Sequence, residues 1–211
     1  KEDTSAEFKQ FVRKNVFGNP AIWVLAIANF FVYIVRYAVL DWGPTLLGEW
    51  KGVSIHHAGW MVAAFEISGI VGMLVAGWAT DRFFGGGGPR VCVICMALAT
   101  VFVVLFWGIS QPPMWLATLL LGAAGFCIYG PQALVGIAAA NIATKKAAAT
   151  AVGFTGLFGY ASTLVSGWGL GLLAQHYGWN IAVGALILIA IMGTLIFMAA
   201  WSAKANGYDN D

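Results

Sequence analysis

Six long apolar runs separated by short breaks dominate this 211-residue chain. A helix needs about 20 mostly apolar residues to cross the hydrocarbon core of a bilayer. The runs at 21–47, 57–80, 91–110, 114–140, 147–174 and 179–203 all reach that length. Charged residues make up 9% of the chain and hydrophobic ones 60%, against about 25% and roughly 45–50% in a soluble domain. A water-soluble globular enzyme of this size could not hide so much apolar surface, so that class is excluded. A transmembrane β-barrel would show alternating segments of about ten residues, and none is visible. The connectors at 48–56, 81–90, 111–113, 141–146 and 175–178 are short, which makes successive helices antiparallel neighbours in one bundle. The fold class expected is an all-α membrane protein of six transmembrane helices.

The basic residues orient the bundle, because loops rich in Lys and Arg stay cytoplasmic. One side collects Lys1, Lys9, Arg13, Lys14, Arg82, Arg90, Lys145, Lys146 and Lys204, and the other only Lys51. Both termini are therefore expected in the cytoplasm. Tryptophans such as Trp23, Trp50, Trp78, Trp115 and Trp201 fall near run ends, where amphipathic rings favour the interface. The net charge of +2 argues against nucleic acid as a partner. The chain opens on Lys, and its polar stretch 1–19 reads as a linker cut from a longer protein.

Several motifs carry no chemistry. Cys92, Cys95 and Cys127 lie inside apolar runs, without the further ligands a zinc site needs. His56 and His57 sit in an outer loop with no accompanying carboxylates, and no metal or cofactor is expected. Gly85–Gly88 is a loop tip before Pro89, far from any strand, and so a turn rather than a nucleotide cradle. Two rows of small residues, Ser68, Gly72 and Ala76, and Gly159, Thr163, Gly167 and Gly171, recur every four positions. Such rows let helix backbones approach closely, either for tight packing or for sliding. Pro44 and Pro131, each after a glycine, are expected to break the first and fourth helices, and interrupted helices point to a transporter's site and gates.

Three ionisable residues, Arg36, Asp41 and Glu66, lie inside the apolar runs. A charge at the bilayer centre costs roughly 2.5–3.5 kcal/mol on insertion scales and is usually functional. Asn29, Tyr33 and Arg36 follow one another at spacings of four and three, so one helix face carries an amide, a phenol and a guanidinium. The planar donor fork of a guanidinium fits phosphate or carboxylate, and this face reads as an anion site. One cation and two carboxylates leave the intramembrane charge at −1, which opposes a phosphate ester unless a missing half supplies further buried cations.

The segment Gly77-Trp-Ala-Thr-Asp81-Arg82 with Arg90 resembles the basic loop signature of the major facilitator superfamily. Asn29-Phe-Phe-Val-Tyr33-Ile-Val-Arg36-Tyr37 and Asp41-Trp-Gly-Pro-Thr45 resemble the seventh helix of its organophosphate:phosphate antiporter family. The resemblance continues through Phe65-Glu66, Tyr129-Gly-Pro131, Lys145-Lys-Ala-Ala and Gly153-Phe-Thr-Gly-Leu-Phe-Gly-Tyr160. It covers only the C-terminal half of that family. It implies a cytoplasmic linker at 1–19, a six-helix C-terminal transmembrane half at 20–203 and a cytoplasmic tail at 204–211.

The resemblance also implies a twelve-helix antiporter of the inner membrane that exchanges a phosphate ester for inorganic phosphate. Arg36 stands where the C-terminal half's phosphate-gripping arginine belongs. Tyr33, Tyr129 and Tyr160 match pore-lining tyrosines, with Asn29 on the same face as Arg36. Asp41 and Glu66 match carboxylates that pair with cations near the site. The substrate class divides. Asp41-Trp-Gly-Pro-Thr45 and the segment 153–160 resemble glycerol-3-phosphate transporters, whereas Gly130-Pro-Gln132 and Val75-Ala-Gly-Trp78 resemble hexose-phosphate transporters and their sensor relatives. Neutral Gly153 and Thr155 favour glycerol 3-phosphate.

Overall fold

The computed structural model describes residues 2–203. Lys1, Lys204 and the tail at 204–211 lie outside the described residues. The helices are α1 (Glu2–Val12), α2 (Pro20–Lys51), α3 (Ile55–Phe84), α4 (Gly88–Gly108), α5 (Met114–Ala161), α6 (Leu170–Tyr177) and α7 (Trp179–Ala199). No strand occurs among the described residues. Single π-helical turns follow α1 at Arg13–Phe17 and precede α6 at Val165–Gly169.

Local chemistry sets the helix ends. The Asn19 side chain caps α2 by accepting from the Ala21 N–H at 3.0 Å, and Pro20 occupies the first turn, where its missing N–H costs nothing. Gly52 stops α2 in the left-handed region at φ 69°, a conformation that a Cβ penalises. Ser54 caps α3.

The helix α5 hides a reversal. The stretch from Met114 to Tyr177 is 64 residues long, which as one rod would extend about 96 Å, three times a bilayer's core. Thr144 interrupts it with φ 68° and ψ 165°. Across that break a Cβ on Gly136 would lie 3.9 Å from Val152 Cγ1, although positions sixteen apart in a straight helix are about 24 Å apart. The chain therefore folds back at Thr144, giving α5 a first arm (114–143) and a second arm (145–161) that continues through the π-turn into α6. With α2, α3, α4 and α7 this makes six apolar spans.

One expectation needs correction. Pro44 lies inside α2 and Pro131 inside α5, and both helices run on through them. A proline removes a single donor, and in a membrane helix neighbouring groups can accommodate the loss. The break between the fourth and fifth spans falls at Thr144, inside the connector expected at 141–146, and no Gly or Pro marks it. The polar stretch before the first span contains a helix at residues 2–12, and Phe11 carries the Lys146 ammonium 5.0 Å from its ring centroid. The sixth span is helical over Trp179–Ala199.

The contacts define two ends. Lys146 meets α1, and Arg90 Nε donates to the Trp201 carbonyl at 3.3 Å, so the 144–146 reversal, the N-terminal segment, the α3–α4 connector and the C-terminal end of α7 share one basic end. At the opposite end Lys51 Nζ donates to the Ile109 carbonyl at 2.6 Å and sits over the Trp50 ring.

Candidate functional site

Halfway along the bundle, α2, α3 and the first arm of α5 bring Arg36, Glu66 and Tyr129 together. Arg36 Nη2 lies 3.5 Å from Glu66 Oε2, with the two side chains 17% and 31% exposed. The Arg36 guanidinium carbon sits 4.4 Å from the Tyr129 ring centroid and 5.5 Å from that of Tyr37. Stacking on an aromatic face holds a guanidinium in one plane, so its donor fork is orientated before any ligand arrives. Gly69, one turn beyond Glu66 on α3, makes room for Tyr129: a Cβ there would come within 2.7 Å of the ring.

The cluster is rich in unused hydrogen-bonding capacity. Arg36 Nε, Glu66 Oε1, the Tyr129 hydroxyl and Gln132 Oε1 are all buried and have no partner. Buried polar groups are nearly always paired, so four orphans on residues that adjoin one another mark a place built to receive something polar. Arg36 and Glu66 form an ion pair. A guanidinium carries five donors, and this pair leaves Nε free.

The other candidate residues frame the cluster unequally. Tyr33 is buried, and its ring packs 5.8 Å from the Tyr160 ring and 5.7 Å from that of Tyr37. Tyr160 is 63% exposed and reaches the cluster only through Tyr33. Asn29 Nδ2 donates to the Thr155 carbonyl at 3.0 Å and so ties α2 to the second arm of α5, while its Oδ1 is buried without a partner. Gly159 keeps that crossing close, as a Cβ there would lie 2.9 Å from Asn29 Nδ2 and 3.2 Å from the Tyr33 ring.

Asp41 stands apart. It is exposed and forms no ion pair among the described residues. Five residues separate it from Arg36, a rotation of about 140° around the helix, which turns it off the Arg36 face. It lies near the π-turn at Val165–Gly169, where a Cβ on Gly167 would be 3.9 Å from Asp41 Oδ2.

Gln132 is the residue that sequence reasoning missed as part of the site. Its side chain lies beside the Tyr33 hydroxyl, and its Oε1 is buried without a partner. A signal was available, because Gln132 is a polar residue three positions after Tyr129 in an otherwise apolar run and therefore shares its helix face.

No group of three or more His, Cys, Asp or Glu side chains that could hold a metal occurs among the described residues. The three cysteines are free thiols. His57 Nδ1 lies 2.8 Å from Ser54 Oγ at the start of α3.

A family model described as Major Facilitator Superfamily matches residues 25–207. The chain is 40% identical over 189 residues to a "Probable hexose phosphate transport protein" of Chlamydia pneumoniae, covering 89% of this chain and 42% of that one. It is 37% identical over 210 residues to the "Glycerol-3-phosphate transporter" of Haemophilus influenzae, covering 90% and 44%. It is also 34% identical over 197 residues to the "Membrane sensor protein UhpC" of Salmonella typhimurium, covering 93% and 45%. Its fold superposes on a crystal structure of a mutant peptide transporter POT in complex with sulfate, with a TM-score of 0.75, 14% identity and coverage of 90% of this chain and 41% of that one. The chain thus spans less than half the length of these relatives, as one six-helix half would. Six apolar spans, a matching family model over most of the chain and a shared fold lead to one conclusion: this chain belongs to the Major Facilitator Superfamily, a family of membrane transporters rather than enzymes.

Proposed function

We propose that this chain is the C-terminal half of a secondary transporter that exchanges a phosphate ester, glycerol 3-phosphate or a hexose phosphate, for inorganic phosphate by alternating access. The observation that carries the reading is Arg36, held flat on Tyr129 beside Glu66 with Nε unpartnered. A guanidinium can grip a phosphoryl group with two parallel bonds. Glu66 keeps the empty site close to neutral, and an entering phosphate competes with it for Arg36. A dianion beside Glu66 needs more positive charge than this chain offers, so cations from an N-terminal six-helix half complete the site. Named relatives transport hexose phosphate and glycerol 3-phosphate, which supports the same substrate class.

Exposed apolar residues such as Ile67, Leu74, Leu157, Leu164 and Trp168 suit a surface covered by lipid or by that second half. The excess of Lys and Arg at one end supports an inner-membrane protein with that end in the cytoplasm. Transport then follows the ordinary course of such folds, in which one half rocks against the other about a site between them.

Reconstitution of the complete protein in liposomes, followed by labelled phosphate counterflow, tests the reading. Exchange against glycerol 3-phosphate or glucose 6-phosphate is expected, and its absence contradicts it. A specific observation favours one rival, a sensor that binds a sugar phosphate without moving it, since sensor proteins are among the relatives. Saturable binding without exchange selects the sensor.

A further inference from the structure

We infer that Gln132 reads the substrate's carbon body by accepting a hydrogen bond from a hydroxyl near the phosphate, so that the site selects polyol phosphates over esters lacking that hydroxyl. The inference rests on the phosphate-ester reading above and adds a specificity-determining residue to it.

The geometry stacks two levels along α2. Arg36 faces Tyr129, and three residues back along α2 Tyr33 meets Gln132, three residues on along α5. The two helices run in opposite directions here, so the levels match pair for pair and are separated by about 4.5 Å, the rise of three residues. Arg36 supplies the charge at the upper level. The lower level supplies no charge at all, only a phenol and an amide.

At that lower level the bonding is incomplete on one side. Gln132 Oε1 is buried with no partner, and the amide stands beside the Tyr33 hydroxyl. A buried, unpaired carbonyl oxygen costs free energy unless a donor reaches it. A phosphoryl group cannot serve, since it offers acceptors only. A hydroxyl on the second or third carbon from the phosphate can, as it lies four or five bonds from phosphorus and spans a gap of this size. Glycerol 3-phosphate and hexose 6-phosphates carry such a hydroxyl. Phosphoenolpyruvate places a carboxylate there instead, which meets Oε1 acceptor to acceptor. Sites built to bond a substrate hydroxyl reject analogues lacking it, because their own polar group is then left unpaired.

The test uses the full-length transporter in proteoliposomes and inhibition of labelled inorganic phosphate uptake. The competitors are glycerol 3-phosphate, glucose 6-phosphate, propyl phosphate (the same three carbons with no hydroxyl) and phosphoenolpyruvate. Wild-type protein should favour the two hydroxyl-bearing esters over propyl phosphate by about tenfold, the loss of one well-formed hydrogen bond, and should favour them over phosphoenolpyruvate by more. Gln132→Leu should shrink the gap between glycerol 3-phosphate and propyl phosphate to about twofold or less. A loss of packing alone would weaken all four competitors together and leave that ratio standing. Equal competition by glycerol 3-phosphate and propyl phosphate in wild type, or a ratio preserved in Gln132→Leu, overturns the role of Gln132 while leaving phosphate exchange intact. Wild-type protein that neither takes up phosphate nor binds its esters overturns the transport reading itself. Should Gln132→Leu fail to insert, Gln132→Met serves in its place, and the wild-type comparison decides without any variant.

Discussion

Two seams hold the bundle together, and they are built differently. Between α3 and the first arm of α5, backbone lies on backbone. A Cβ at Gly72 would strike the Phe126 backbone and one at Gly125 the Phe65 backbone, while Ser68 Oγ donates to the Gly122 carbonyl at 2.7 Å. Between α2 and the chain from the second arm of α5 into α6, side chains do the holding. Asn29 bonds the Thr155 carbonyl, Trp42 Nε1 is shared by the Ser166 and Gly167 carbonyls at 3.1 and 3.0 Å, and Gly171 leaves room for the Trp42 ring.

The second seam also contains the π-turn at Val165–Gly169 and borders a cavity of about 420 Å³ lined by Trp42, Glu49, Trp168 and Trp179. Single π-helical turns often mark functional positions in helices. The first seam cannot slip without a clash, and Glu66 and Tyr129 sit on it. The second is held by side chains, and Tyr160 sits on it. The proposed site thus straddles two seams of different construction.

The largest effect should come from the rigid seam. Gly72→Ala forces a methyl group into the Phe126 backbone, and overpacking of this kind costs about 3 kcal/mol. Denaturant or thermal unfolding of the purified transporter should show it. An unchanged midpoint would mean that the seam is looser than drawn here.

A smaller loss is expected at the other seam. Trp42→Phe keeps the ring over Gly171 but leaves the Ser166 and Gly167 carbonyls without their donor, at a cost of about 1 kcal/mol, in keeping with interhelical hydrogen bonds in membranes. If Trp42→Phe destabilises as much as Gly72→Ala, the contrast between the seams is lost. An effect no larger than this carries the opposite sign. Thr144 is β-branched yet holds φ 68°, and relieving such strain with Thr144→Gly should stabilise the protein by about 1 kcal/mol, net of glycine's greater unfolded-state entropy. A destabilised Thr144→Gly would show that the Thr144 side chain, not the backbone, shapes the reversal.

The spans were legible in the sequence because lipid leaves a chain little choice: long apolar runs must close their hydrogen bonds internally as helices. Helix starts at Pro20 and Met114 follow visible capping or proline signals. The reversal at Thr144 falls in the polar connector read at 141–146, from Asn141 to the Lys145–Lys146 pair, although its left-handed backbone has no signature in a threonine. The prolines misled because a local rule about one lost donor was outweighed by packing along the whole helix. At the site, the shared face of Tyr33 and Arg36 could be read from helical spacing, yet the choice of Glu66 over Asp41 as ion-pair partner could not. That choice depends on how α3 lies against α2, a tertiary fact. Asn29 shares the Arg36 face by periodicity, but the second arm of α5 claims its amide. Gln132 escaped notice because an uncharged side chain in an apolar run raises no alarm until its carbonyl is seen to be orphaned.

The central claim is that Arg36 grips a phosphoryl group rather than merely offsetting Glu66, and Arg36→Lys tests it directly. Lysine keeps the charge, and with it the ability to pair with Glu66, but replaces a planar fork of donors by a compact point charge. Equilibrium binding of inorganic phosphate to the purified full-length transporter should weaken by at least about tenfold, since one charge-assisted bond contributes about 1.5–3 kcal/mol, while folding and membrane insertion remain as in the wild type. Wild-type affinity in Arg36→Lys would contradict the account and leave Arg36 a structural partner of Glu66.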